Sequence, residues 1–357
     1  MRIESLSTPG VHGRGWRILF RSQDSNGRMT VSSGVVYAPT SSGSGRLVVA
    51  WAHGTIGLAP NCAPSRQVVD SAISPWLNQM LDHNWVVTAP DYAGAGGTGG
   101  PGATEKYLIG TEQGRDLLNS VRAAGNIPDA GAGTHFAIYG HSQGGLVALF
   151  GAALAPTYTP ELTLVAVGAV SAASDSGGIL RQIWNSPLAG WILGPSVVYP
   201  WTRYYPNLEA SAILTPAGLN HYQEMATTNC ITDILPVVIN PQMGDFLSKD
   251  PTTNAAWRQA FVANEAPLVP KGIPAFIGHG LSDTLINPAF SAWLVTRYCA
   301  NGTAVATDWL RGVGHGDAAS QAAPQYIQWL ATLANEHQPV SDCGKPLPVT
   351  PAQPTTA

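Results

Sequence analysis

"FAIYGHSQGGLVAL", residues 136–149, governs how the rest of the chain is read. A short apolar run rich in β-formers ends in Gly140-His141-Ser142-Gln143-Gly144, and an apolar run of helical character begins at once. The chain contains no other G-x-S-x-G. On its own the pattern is common by chance in a sequence rich in glycine and serine; the strand before it and the helix after it give it weight. In a strand–turn–helix of this kind the turn leaves no room for side chains at the flanking positions, hence the glycines. The serine hydroxyl is lifted off the sheet edge, and the N–H of the next residue, Gln143, points at the place where an oxyanion develops.

Working outward, seven further apolar runs read as strands: 16–22, 29–39, 46–54, 85–92, 164–172, 273–280 and 304–312. The first two lie close enough for a hairpin. Several later ones are continuous rather than alternating, as strands buried on both faces are. Helical segments separate the later runs: 65–84 (interrupted at Pro75), 111–124, 144–156, 288–301 and 317–337. Strands alternating with single helices predict an α/β fold, a mostly parallel sheet with helices on both faces. Residues 176–269 break the rhythm with no clear strand and many aromatics, including Trp184, Trp191, Tyr199, Trp201, Tyr204 and Tyr205. They read as a helical insertion, since so long a segment is not a loop. The predicted organisation is therefore a core of residues 1–175 and 270–346 with a helical lid or cap at 176–269. The Pro/Thr-rich end, 347–357, reads as disordered.

A serine hydroxyl needs a base. Nine histidines compete, and groups that act in this architecture gather at the C-terminal ends of strands. His315, in "RGVGHGD" after the last strand, is the candidate; the alternative is a turn histidine capping the next helix. His53 and His279 also end strands, whereas His12, His83 and His337 read as surface residues. The acid that orients the imidazole is Asp283 in "IGHGLSDTLIN", with Asp308 and Asp317 as rivals. Ser142, Asp283 and His315 then stand in the chain order of α/β-hydrolases. The second oxyanion donor is Thr55, in the loop after the 46–54 run, unless "HGT" is only a glycine turn. His53 and Tyr92, at strand ends, and Trp184 and Trp191, in the insertion, are candidates for the pocket wall.

A rival signal is Gly94-x-Gly96-x-x-Gly99 in "VVTAPDYAGAGGTGGPG", 86–102, the written form of a dinucleotide cradle. Its context fails. Pro101 and Gly102 delay the helix, and the acids about 20 residues on, Glu112 and Asp116, lie inside that helix rather than after the next strand. The loop reads instead as the rim of a cleft, and no cofactor is expected. A cofactor titration would detect a nicotinamide or flavin enzyme.

Composition narrows the partners. The 357 residues are 45% hydrophobic, only 11% charged, and carry a formal net charge of −4 with no basic run, so nucleic acid is not an expected partner. No apolar run is long enough to span a bilayer, and "MRIESLSTPG" contains no apolar core of a signal peptide. Cys62, Cys230, Cys299 and Cys343 form no zinc pattern, so no metal is expected; two disulfides, in any of three pairings, are favoured over four buried thiols.

Together, "RILFRSQDSNGRMTVSSGVVYAP", "VVAWAHGTIGLAPNCAPS", "EQGRDLLNSVRAA", "GHSQGG" and "GLSDTLIN…GHGD" resemble the secretory lipases of the α/β-hydrolase superfamily over residues 15–335, least so in the insertion. "CAPS" beside "HGT", and the spacing of Ser142, Asp283 and His315, are the most specific parts. The resemblance implies carboxylic ester hydrolysis through an acyl-enzyme, secretion, transient contact with a lipid interface, and a helical lid between the sixth and seventh of the eight strands. It also implies pairing of Cys62 with Cys230, which leaves Cys299 for Cys343. A yeast member has an Asp near the position of Thr55, so the Thr55 hydroxyl stands beside its N–H as a candidate donor. Long-chain lipids, short-chain esters, aryl esters and polyesters all remain as substrates. A hydrolase-fold protein that binds without catalysis is the other class, and it would leave Ser142 unlabelled by a fluorophosphonate.

Overall fold

A computed structural model describes the chain except residues 68–71, 101–102, 184–186, 234–243, 337–338 and 356–357. Ten strands are present among the described residues: β1 (Arg2–Leu6), β2 (Gly13–Gln23), β3 (Met29–Pro39), β4 (Arg46–Ala52), β5 (Val86–Pro90), β6 (Ala93–Gly96), β7 (Ala132–His141), β8 (Thr163–Val170), β9 (Ala275–Gly280) and β10 (Val305–Leu310). Nine of them form one sheet in the order β1-β2-β3-β5-β4-β7-β8-β9-β10. The β2–β3 hairpin and its neighbours β1 and β5 pair antiparallel, and every pair from β5 through β10 is parallel. This is the α/β-hydrolase arrangement expected from the sequence. All eight runs read as strands are present. β1 and the four-residue β6 were not foreseen: β1 is an edge strand whose side chains are mostly exposed, so it carries no apolar signal.

The continuous apolar strands are buried on both faces, with alternate residues serving two layers. Val48, Ala50 and Ala52 of β4, with Phe136 and Ile138 of β7, face the layer that holds α2 (Gly110–Gly125), α3 (Gln143–Tyr158) and α8 (Ala289–Ala300). Val49, Trp51, Ala137 and Tyr139 face the opposite layer, α1 (Leu77–Asp82) and α9 (Ala318–Glu336). In that second layer the Tyr326 ring stacks on Tyr139 at 4.3 Å between centroids. Each phenol is also satisfied: Tyr326 donates to the Ile138 carbonyl at 3.0 Å, and Tyr139 donates to the Ala319 carbonyl at 2.6 Å. α1 starts just past Pro75, where the sequence predicts a restart.

Between β8 and β9 lie α4 (Ser176–Ile183), α5 (Pro187–Tyr204), α6 (Pro216–Thr228) and α7 (Ala255–Ala263), with no strand among the described residues of that segment. Their aromatic residues Trp191, Trp201, Trp257 and Phe261 are continuous with the core layer of α2 and α3. Both disulfides pair as the family resemblance implies, Cys62 with Cys230 and Cys299 with Cys343. The first joins the segment after α6 to the loop after β4, where Gly57 and Cys230 also form an isolated antiparallel bridge.

The C-terminal stretch departs from expectation. Residues 347–355 are ordered against the core rather than disordered: Leu347 and Ala352 pack on it, and Ala352 N–H donates to the Ala289 carbonyl at 2.9 Å. Thr355 is buried, giving its N–H and Oγ1 to the Asp175 carboxylate at 2.6 and 2.7 Å. The composition argument fails because the prolines leave few backbone donors to satisfy, and the Cys299–Cys343 bond already anchors the segment.

Candidate active site

The turn from β7 into α3 is built as the sequence demands. A Cβ on Gly140 would overlap the Gly144 carbonyl, and one on Gly144 would overlap the carbonyl of Ala52 at the end of β4. The two glycines therefore let α3 close down on the neighbouring strand. Ser142 is driven to φ 57° and ψ −121°, a strained conformation for any residue but glycine. Its N–H donates to the Val170 carbonyl at 2.9 Å, and its own carbonyl accepts from Gly145 and Ala173, so the strain is held by bonds on both sides.

β9 and β10 are neighbours and bring Asp283 and His315 together. Leu281 N–H donates to the Leu310 carbonyl and Ser282 N–H to the Val313 carbonyl, at 2.8 and 2.9 Å, which locks the two strand-end loops side by side. His315 Nδ1 lies 2.7 Å from Asp283 Oδ2, and its Nε2 lies 2.8 Å from Ser142 Oγ. With the imidazole neutral, Nδ1–H donates to the carboxylate and the serine hydroxyl donates to Nε2. The other Asp283 oxygen accepts the N–H groups of Leu285 and Ile286, both at 2.9 Å. Burial acts to raise the Asp283 pKa, but hydrogen bonds from His279, His315 and the Ile286 N–H hold it well below the usual carboxylate range. The rivals stand elsewhere: Asp308 lies within β10, and Asp317 accepts at its carbonyl from Ser320 and Gln321 in the first turn of α9.

His141, beside the serine, donates Nε2–H to the His315 carbonyl at 2.9 Å. Its burial, then the nearby His315, depresses its pKa to about 3, so the ring stays neutral.

Gln143 opens α3, where a backbone N–H has no acceptor within the helix. Its side chain is buried and donates to Glu105, which also accepts from Gln113 Nε2 at 2.6 Å. Burial foremost, against the Gln143 hydrogen bond, pushes the Glu105 carboxyl up to about 8. The loop after β4 lies against the serine turn, since a Cβ on Gly54 would sit 3.4 Å from Ser142 Cβ. Thr55 is next in that loop, and its hydroxyl is engaged with the Tyr107 phenol at 2.7 Å. Neither Glu105 nor Tyr107 was singled out from the sequence. Both lie in the aperiodic stretch before α2, where Leu108 adopts φ 55°, and only a buried acid among apolar neighbours marks the place.

Against Ser142 opens a cavity of about 390 Å³, its mouth included. Tyr107 and Leu108 form one wall, Ile179 and Leu180 of α4 with Leu193 and Val197 of α5 a second, and Leu285 with Ile286 a third. Of the residues expected in the pocket wall, His53, Tyr92 and Trp191 do not line it. His53 is buried, with Nδ1 2.7 Å from the Gly54 carbonyl and its ring against Tyr92 at 4.4 Å. Tyr92 is fully buried, and Trp191 packs on Phe246 and donates to the Gly244 carbonyl at 2.9 Å. Trp184 and His337 lie outside the described residues. His12 and His83 are exposed as expected.

The glycine loop at 94–99 folds on itself. Gly94 N–H donates to Thr98 Oγ1 at 2.9 Å, and a Cβ on Gly94 would overlap Thr104. Among the described residues the next helix after Gly99 is α2, which begins at Gly110, whereas a pyrophosphate cradle has its third glycine at the opening of the helix.

With this geometry in view, the family model for secretory lipases matches residues 66–342. The chain belongs to the secretory lipase family. Lipase 4 of Candida albicans is 25% identical, the match covering 96% of this chain and 77% of that one. Two solved structures share the fold: the rice cell wall degrading esterase LipA from Xanthomonas oryzae (TM-score 0.79, 16% identity, 95% of this chain and 98% of that chain) and Candida antarctica lipase A in its closed state (TM-score 0.76, 18% identity, 98% and 85%). This secretory lipase is thus a secreted carboxylic ester hydrolase with an ester or lipid substrate. The two disulfides accord with an oxidising destination. No helix among the described residues is long and apolar enough to cross a membrane.

Proposed function

We propose that this secretory lipase cleaves esters through an acyl-enzyme on Ser142, with His315 as base and Asp283 as the group that orients it. The observation that carries this reading is the unbroken chain of contacts, Ser142 Oγ to His315 Nε2 at 2.8 Å and His315 Nδ1 to Asp283 Oδ2 at 2.7 Å. Ser142 Oγ attacks the ester carbonyl while Nε2 takes its proton. The N–H groups of Gln143 and Thr55 receive the tetrahedral oxyanion, each contributing on the order of 3 kcal/mol. The Thr55 N–H is the donor in this reading, and its hydroxyl, 2.7 Å from the Tyr107 phenol, is free to donate as well when it accepts the phenol's proton. His315 then protonates the leaving alcohol, and water repeats the sequence on the acyl-serine. Ser142→Ala should bind substrate and abolish turnover; hydrolysis at the parent rate would exclude Ser142 as nucleophile.

The cavity holds the acyl chain and the insertion, 176–269, caps it. Its lining is predominantly aliphatic and the cavity is narrow, little of its space being open to a water-sized sphere, which favours short and medium acyl chains over long ones. A rate profile on p-nitrophenyl esters from about C2 to C16, the range that separates esterase from lipase behaviour, should peak in its lower half. A maximum at the longest chains would contradict the cavity reading and point to a site that widens at a lipid surface.

A further inference from the structure

Asp283 is met by two imidazoles. His279, the penultimate residue of β9, is fully buried, and its Nε2 lies 3.3 Å from Asp283 Oδ2, the same oxygen that receives His315. The same Nε2 lies 3.0 Å from the Ile286 carbonyl. Both neighbours only accept, so Nε2 carries the proton. Nδ1 is then a lone pair, and the hydroxyl of Ser291 on α8, at 2.6 Å, donates to it. Ser291 is fully buried, so its hydroxyl has no solvent alternative. The serine therefore fixes the tautomer of His279, and that tautomer aims a proton at the acid.

We propose that His279 and Ser291 are positioning residues for the hydrolysis: Ser291 sets the His279 tautomer, and His279 Nε2–H holds Asp283 in place and limits its pull on the proton of His315. This rests on the Ser142–His315–Asp283 reading. With Leu285 and Ile286 on one oxygen and two imidazoles on the other, the carboxylate has a donor for each of its roughly four lone-pair positions. A carboxylate so saturated stays ionised and is a weaker acceptor toward any one donor. Without His279, Asp283 stabilises the His315 imidazolium more strongly against the neutral ring. Since the base must be neutral to take the serine proton, activity then fails at a higher pH on the acid side. The ionisable groups around the pair are His279 on β9, His141 at the end of β7, whose ring is 4.8 Å from that of His315, and Asp317 two residues beyond it.

The test is the pH dependence of kcat/KM for p-nitrophenyl acetate in the intact enzyme and four variants. Ser291→Ala should move the acid limb up by about half a pH unit and His279→Leu by more, with kcat reduced and KM nearly unchanged. His279→Gln, whose amide nitrogen reaches the place of Nε2, should bring the limb back toward the parent profile. A histidine that merely fills the core predicts equal limbs in all of them, and an unmoved limb in folded His279→Leu overturns the proposal. If His279→Leu does not fold, Ser291→Ala decides in the same way. Asp283→Asn separates the two levels: full activity there overturns the Asp283 assignment and this inference with it. Loss of activity there, with unmoved limbs in the others, overturns this inference alone.

Discussion

Glu105 carries no conspicuous motif, yet it ties the serine turn to the pocket wall. Its Oε1 accepts from both Gln143 and Gln113, while Gln113 Oε1 receives the N–H of Leu108, a lining residue. Burial raises its carboxyl to about 8, above its ordinary value of about 4.5. The folded state therefore keeps a proton that the unfolded chain has lost, and this group makes stability fall as pH rises from about 4.5 to about 8. Asp116 acts in the same direction up to about 7. Glu105→Gln keeps an accepting oxygen for both glutamines and removes the titration. Its melting temperature should exceed that of the parent at pH 8 and match it near pH 4.5, where both side chains are neutral. A variant that loses stability equally at both pH values would show that Glu105 acts as a carboxylate.

At the scale of elements, the strand ends were legible and the stretches between elements were not. His315 follows the half-buried edge strand β10 and is marked by its glycine-flanked loop, whereas Ser142 and Asp283 follow strands buried on both faces, and such strands announce themselves as continuous apolar runs. His279 ends a strand in the same way, but its partner Ser291 lies on a helix that no local pattern ties to it. Tyr107 and Glu105 fall in a segment without period, where only tertiary contacts give the residues meaning. The tail was misread for a related reason, since a proline-rich composition does not say whether a docking site exists. That site is Asp175, which also accepts the Gly178 N–H and so caps α4, a helix lining the cavity. Asp175→Ala removes the cap and both Thr355 bonds, and should cost about 2–4 kcal/mol. Limited proteolysis should then cut within 347–355, where the parent resists. Unchanged stability and protection would mean that the tail docks without Asp175.

Over the whole molecule, the two disulfides brace different things. Cys62–Cys230 closes a span of 168 residues and stands where Ile231 N–H donates to the Ile56 carbonyl at 2.9 Å, one residue past Thr55. Cys299–Cys343 closes 44 residues at the edge of the sheet, away from Ser142. Each should contribute about 2–5 kcal/mol of stability. Only the first should also matter for turnover. Replacing Cys62 and Cys230 by serine should lower kcat/KM at temperatures where the variant is folded, and replacing Cys299 and Cys343 should lower the melting temperature alone. Equal effects on turnover would detach the oxyanion loop from the first bridge. The cysteines themselves were plain in the sequence. Their pairing rested on family resemblance, because the linked segments become neighbours only in the folded chain: Cys62 and Cys230 when the insertion folds over the core, Cys299 and Cys343 when the segment after α9 returns to β10.

The central claim is that one serine, activated by His315 and Asp283, carries the chemistry. The intact mass of the protein after brief exposure to a fluorophosphonate addresses it most directly. The account predicts a single adduct located on Ser142, absent from Ser142→Ala and slowed at least a hundredfold, on the order expected for a lost base, in His315→Ala. An adduct on another residue, or labelling of Ser142 at the parent rate without His315, would contradict it.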